Sequence, residues 1–96
     1  MSKKPVTLPP CYEKIQLILA VSSGNKIDDI FPQANLVTDL GLSLTLDLPE
    51  IIYTLNHEYE ADYLNLNAQE VREELEEVEP TVLELAKLVQ EVRDLG

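Results

Sequence analysis

Val37-Thr38-Asp39-Leu40-Gly41-Leu42-Ser43-Leu44-Thr45-Leu46-Asp47, running on into Leu48-Pro49-Glu50-Ile51-Ile52-Tyr53-Thr54-Leu55, decides how this chain folds. Gly41 lets the backbone turn sharply, because a residue without Cβ enters positive-φ regions at little steric cost. Asp47 and Glu50 have the spacing of a capping box, with Asp47 as N-cap. Pro49 suits a first helical turn, where its missing N–H would have had no intrahelical partner. Leu48, Ile51, Ile52, Leu55 and Tyr59 share one face, so the spacing predicts a helix over 48–60. Two hydroxyls, Ser43 and Thr45, stand just ahead of it.

Upstream, residues 24–46 form a long connection with scattered apolar positions: Ile27, Ile30, Phe31, Leu36, Val37 and Leu40. A loop this long is unusual unless it packs on the core or carries function, and its apolar content predicts packing. Before it, Tyr12, Ile15, Ile18 and Leu19 recur at helical spacing, with Leu17 and Val21 widening the stripe. The helix over 11–22 is stopped by Ser22-Ser23-Gly24-Asn25, residues that tolerate turn geometry. Residues 1–10, with two Lys and three Pro, read as a flexible tail, leaving 11–96 as the folded domain. Downstream, Asn67 and Glu70 repeat the capping spacing, and Val71, Leu75 and Val78 predict a helix over 68–78. Pro80 is expected in the first turn of a last helix over 80–95, striped by Val82, Leu85, Val89 and Val92 with Leu88 and Leu95. Four helices, short turns and one long loop between the first two make an all-α four-helix bundle.

Composition narrows the functions. Ninety-six residues make one small domain, burying roughly 60–65% of the unfolded surface and leaving no room for a deep cleft. The single Cys11 excludes an intramolecular disulfide and suits a reducing compartment. It is expected half-buried at a helix start. No run of apolar residues is long enough to span a membrane, and no apolar signal core follows the N-terminal lysines. The expectation is a soluble cytoplasmic monomer. Residues 1–46 carry four Lys and four acids; residues 47–96 carry 14 acids against three basic residues and hold the whole net charge of −11. Such a surface repels nucleic acid and favours basic partners. No Ser/His/Asp set, metal-ligand spacing or phosphate loop is visible, so an enzyme is not expected.

The segments in order resemble the acyl carrier protein family. Glu13-Lys14-Ile15, Gly24, Ile30, Leu36 and Asp39-Leu40-Gly41 follow its first helix and long loop without a gap. Glu50 to Tyr59 is similar to its second helix, and Pro80-Thr81-Val82 to the start of its last. Between Tyr59 and Val82 the chain is several residues longer than the family, which implies an extended third helix. The resemblance implies a 4'-phosphopantetheine arm on a serine at the mouth of the second helix, coupled from coenzyme A by a transferase and carrying acyl groups as thioesters. Helix N-termini suit a phosphate there.

The family's Asp-Ser-Leu is altered in this chain. Thr45-Leu46-Asp47 matches Ser-Leu-Asp if one residue is inserted after Gly41, at the expense of a more hindered secondary hydroxyl. Ser43-Leu44 keeps a primary hydroxyl one residue early. Ser43 is the preferred attachment residue and Thr45 the alternative; both could equally be turn or capping hydroxyls. The resemblance makes Asp47, Glu50, Glu58 and Glu60 docking residues for the basic surfaces of a phosphopantetheinyl transferase and of fatty acid, polyketide or related biosynthetic enzymes. Asn56 and His57 stand where the family has acids, and His57 is expected exposed and inert. Glu73-Glu74 and Glu76-Glu77 read as a solvated helix face. The rival function is an armless adaptor or regulatory module built on the same bundle.

Overall fold

Apolar residues at three- and four-residue spacing set four α-helices: α1, Tyr12–Ser23; α2, Leu48–Glu58; α3, Ala68–Glu77; and α4, Val82–Leu95. The computed structural model describes residues 9–60 and 64–95, and among these there is no strand. Most of the expected flexible tail, residues 1–8, lies outside the described residues. Helix α1 packs on α2 and α4, and α3 packs on α2 and α4. The four therefore close a ring around one core of Leu, Ile and Val, in which Ile15, Leu19, Leu55, Leu75, Leu85 and Val89 are fully buried.

The stripe expected on α1 is narrower than its sequence suggests. Tyr12, Ile15, Ile18 and Leu19 are buried, but Leu17 and Val21 face solvent at 53% and 77% exposure. Both fall off the arc that meets α2 and α4. Gly24 ends the helix in the left-handed region at φ 73°, its N–H donating to the Ala20 carbonyl. Helix α3 has only Val71 and Leu75 buried. At about 1.5–3 kcal/mol for each large aliphatic side chain, it is the most weakly anchored of the four. It ends at Glu77, one residue before the bound its spacing predicts. Val78 leaves in an extended conformation and is half exposed, not a third core residue. Cys11 is fully buried, more than expected, and its thiol donates to the Ala86 carbonyl at 3.4 Å.

The α1–α2 connection does pack. Ile30, Ala34, Leu36, Leu40 and Leu42 are buried in the common core, whereas Ile27, Phe31 and Val37 stay largely exposed. It also contains a 3₁₀ turn, Ile27–Asp29, held from α1 by Gln16, whose amide donates to the carbonyls of Ile27 and Ile30. Its most consequential contact is with α4. Helix N-termini leave N–H groups without intrahelical partners. Here Val82 N donates to the Ala34 carbonyl and Leu83 N to the Pro32 carbonyl, both at 3.0 Å, while Glu84 N donates to Thr81 Oγ1 at 3.2 Å. Leu36 N donates in return to the Pro80 carbonyl at 2.7 Å. Pro80 is thus outside α4, not in its first turn. Thr81 caps the helix through its hydroxyl, and Asn35 and Thr81 pair as an isolated antiparallel bridge.

Candidate functional site at the turn ahead of α2

Gly41, at φ 74°, turns the chain from the buried Leu40 to the buried Leu42. Ser43 then opens a single helical turn that runs straight into α2. Its carbonyl accepts from Asp47 N at 2.9 Å and Leu48 N at 3.1 Å. Its hydroxyl accepts from Thr45 N at 3.2 Å and Leu46 N at 3.1 Å, as an N-cap side chain does. Asp47 does not cap α2. It lies in the right-handed helical region with no cap bond, and its carboxylate reaches back to accept from Ser43 N at 2.8 Å. The capping box expected between Asp47 and Glu50 is replaced by a reciprocal pair one turn earlier, Ser43 and Asp47.

The same construction occurs eight residues earlier in the chain. Asn35 Oδ1 accepts from Val37 N at 2.9 Å and Thr38 N at 3.0 Å. Asp39 accepts from Asn35 N at 2.8 Å, and the Asn35 carbonyl accepts from Asp39 N and Leu40 N. Asn35-Leu36-Val37-Thr38-Asp39-Leu40 and Ser43-Leu44-Thr45-Leu46-Asp47-Leu48 are thus two copies of one turn, joined by Gly41-Leu42. In each copy the final Leu and one Leu near the start face the core. The repeat is visible as Asn/Ser-Leu-x-x-Asp-Leu, a signal hidden by treating the segment as a connection.

The two hydroxyls differ in what remains to them. A serine hydroxyl has two lone pairs and one hydrogen. The two backbone N–H groups occupy the lone pairs of Ser43, which leaves its hydrogen to the 3.0 Å contact with Thr45 Oγ1. Thr45 is exposed, and its hydroxyl meets that of Ser43 and no backbone group. Among its neighbours, Leu42 is buried, Leu44 packs partly on the core and Leu46 projects into solvent at 76% exposure. Substitution of Thr45 Oγ1 would displace no backbone bond. Substitution of Ser43 Oγ would crowd the oxygen that accepts from Thr45 N and Leu46 N, next to the Asp47 carboxylate.

The four acids expected to dock partners do not form one patch. Asp47 is half-buried in its turn and Glu50 is exposed in the first turn of α2. Glu58 is paired with Lys14 of α1 at 3.2 Å, and Glu60 lies 3.9 Å from the exposed His57. Asn56 has a structural task that sequence reasoning missed. Its amide exchanges two bonds with Leu66, accepting from the backbone N–H at 2.7 Å and donating to the carbonyl at 3.1 Å. An acid at this position could accept but not donate. On α3, Asn67 caps as expected, accepting from Glu70 N. Of the glutamates read as an outer face, Glu76 lies 4.0 Å from Arg72, whereas Glu73, Glu74 and Glu77 line a groove against α4.

Burial raises the Cys11 thiol above its ordinary range, with nearby Arg93 opposing the shift, so the thiolate is disfavoured. Among the described residues, no three His, Cys, Asp or Glu side chains gather to hold a metal ion. No helix there is long and apolar enough to cross a membrane. No protein-family model matches the chain, and no solved structure matches it significantly.

Proposed function

We propose that this chain is an acyl-carrier-like domain that tethers acyl intermediates, of the fatty acid, polyketide or a related kind, on a phosphopantetheine arm. The observation that carries this is a hydroxyl-bearing turn at the head of α2, directly after the Gly41 turn, whose Thr45 hydroxyl is exposed and meets the Ser43 hydroxyl, not a backbone group. When bound, the arm supplies a thiol that carries the acyl group. The chain's own residues present the acceptor oxygen. Asp47 and Ser43 fix the turn, and the Ser43 hydroxyl, 3.0 Å from Thr45 Oγ1, holds it in place. The geometry favours Thr45 over Ser43 as the attachment residue, reversing the order suggested by primary against secondary hydroxyl. In this reading the protein is a cytoplasmic monomer, not an enzyme, and Glu50 and its neighbours on α2 meet basic surfaces of the transferase and of biosynthetic enzymes.

A second reading, the armless adaptor, rests on the Asn35 turn. There a carboxamide makes the same two cap bonds with no hydroxyl to modify, so capping alone accounts for Ser43. Incubation with a broad-specificity phosphopantetheinyl transferase and coenzyme A, read by intact mass, separates the two. The carrier reading expects one arm on the wild type, lost in Thr45→Ala and retained in Ser43→Ala. Labelling lost only in Ser43→Ala moves the site to Ser43. No labelling by several transferases overturns the carrier reading and favours the adaptor.

A further inference from the structure

We propose that the groove between α3 and α4 docks a basic amphipathic helical segment of a partner protein, independently of any arm. The groove encloses about 420 Å³. Its apolar lining is Leu66, Val71, Leu88 and Val92, between the asparagines and glutamates that line the rest. Its α3 wall carries Glu70, Glu73, Glu74 and Glu77, which recur at i, i+3, i+4 and i+7 and so form one continuous stripe. Glu91 faces them from α4. No Lys or Arg lines the groove, and none of these five carboxylates takes part in an ion pair among the described residues.

Three features select the occupant. An apolar lining rewards aliphatic side chains, which a free cation or a polar metabolite lacks. The carboxylates are strung along about 10 Å of helix axis at 1.5 Å per residue, not gathered on one point. They match Lys or Arg repeated at helical spacing on a segment lying along α3. Nucleic acid is repelled by the same charges. Like charges at three- and four-residue spacing also oppose each other along α3, and a basic partner relieves that opposition. The helix that presents them has only Val71 and Leu75 buried, so its own packing does little to offset that repulsion.

The probe is a synthetic amphipathic Lys/Leu helix, compared with a scrambled peptide of identical composition, by amide chemical-shift mapping and fluorescence anisotropy on the unmodified protein. Shifts confined to α3, α4 and Leu66 are expected, with the scrambled peptide weaker by about tenfold because it cannot seat its leucines. The combined variant Glu70→Gln/Glu74→Gln/Glu77→Gln should lose about tenfold in affinity, while Glu13→Gln on α1, exposed and outside the groove, changes it less than about twofold. Unchanged circular dichroism of the combined variant separates lost charge from lost fold. Should the shifts map to α2, the two peptides bind alike, or the combined variant bind as tightly as wild type, the proposal fails. None of these outcomes depends on whether the transferase labels the protein.

Discussion

Replacing Ser43 by Ala removes one oxygen on which two backbone N–H groups depend. Both N–H groups, from Thr45 and Leu46, lie in the turn that leads into α2, where no carbonyl is placed to receive them. Loss of a capping Ser typically costs 0.5–2 kcal/mol. Asp47 still holds Ser43 N in the variant, so half of the reciprocal pair survives and the expected cost is about 1 kcal/mol. For a domain of this size that lowers Tm by about 4–8 °C. Thr45→Ala removes an exposed hydroxyl that no backbone group uses, and should stay within about 0.5 kcal/mol of wild type. Ser43→Asn should recover much of the loss, since Asn35 makes the equivalent bonds in the copy upstream. Urea unfolding followed by far-UV circular dichroism measures all three. If Ser43→Ala unfolds at the wild-type midpoint, or Thr45→Ala is equally costly, the hydroxyl does not cap and the description of the turn is wrong.

Gly41→Ala tests backbone geometry alone, because an added Cβ meets nothing within 4 Å while φ stays at +74°. A cost of about 1–2 kcal/mol is expected, with Gly41→Asn intermediate in the same urea titration. Leu75→Ala should cost about 2–5 kcal/mol and open α3 preferentially, read as faster amide exchange in residues 68–77 than elsewhere. Burial raises the Cys11 thiol pKa, so the unfolded chain loses that proton first. Above about pH 8.5 the unfolded state then binds fewer protons than the native one, and stability falls as pH rises. Thermal melts between about pH 8 and 10 should show a steeper decline for wild type than for Cys11→Ala; parallel curves would exclude the thiol as the cause.

Helix positions were legible wherever a stripe recurred over two turns or more. The α2 face through Leu48, Ile51, Ile52 and Leu55 is buried as its spacing requires. Stripe width was not legible. Leu17 and Val21 have the periodicity of core residues, but the arc that α1 buries is set by where α2 and α4 lie, which local spacing does not encode. The cap of α2 was misassigned for a different reason: Asp47 has the right spacing to Glu50 but is already committed to Ser43 N. A side chain that can bond in two directions follows the better donor, and only the three-dimensional path of the turn decides which that is. The clamp of Asn56 on Leu66 belongs to the same class. At the candidate site, both hydroxyls could be found from sequence, but their ranking rests on which of them the backbone already uses.

The seating of the long loop on α4 also bears on how the molecule opens. The carbonyls of Pro32 and Ala34 serve as partners for Leu83 N and Val82 N, half a chain away in sequence. Neither segment can leave alone without stranding groups of the other. Hydrogen bonds of this kind do not nucleate a helix locally; they tie its first turn to the closure of a distant loop, so the loop and α4 belong to one cooperative unit. A fragment beginning after Leu42 would retain every residue of α4 yet lack the acceptors for its first turn. The start of the last helix is in that sense written in the first half of the chain.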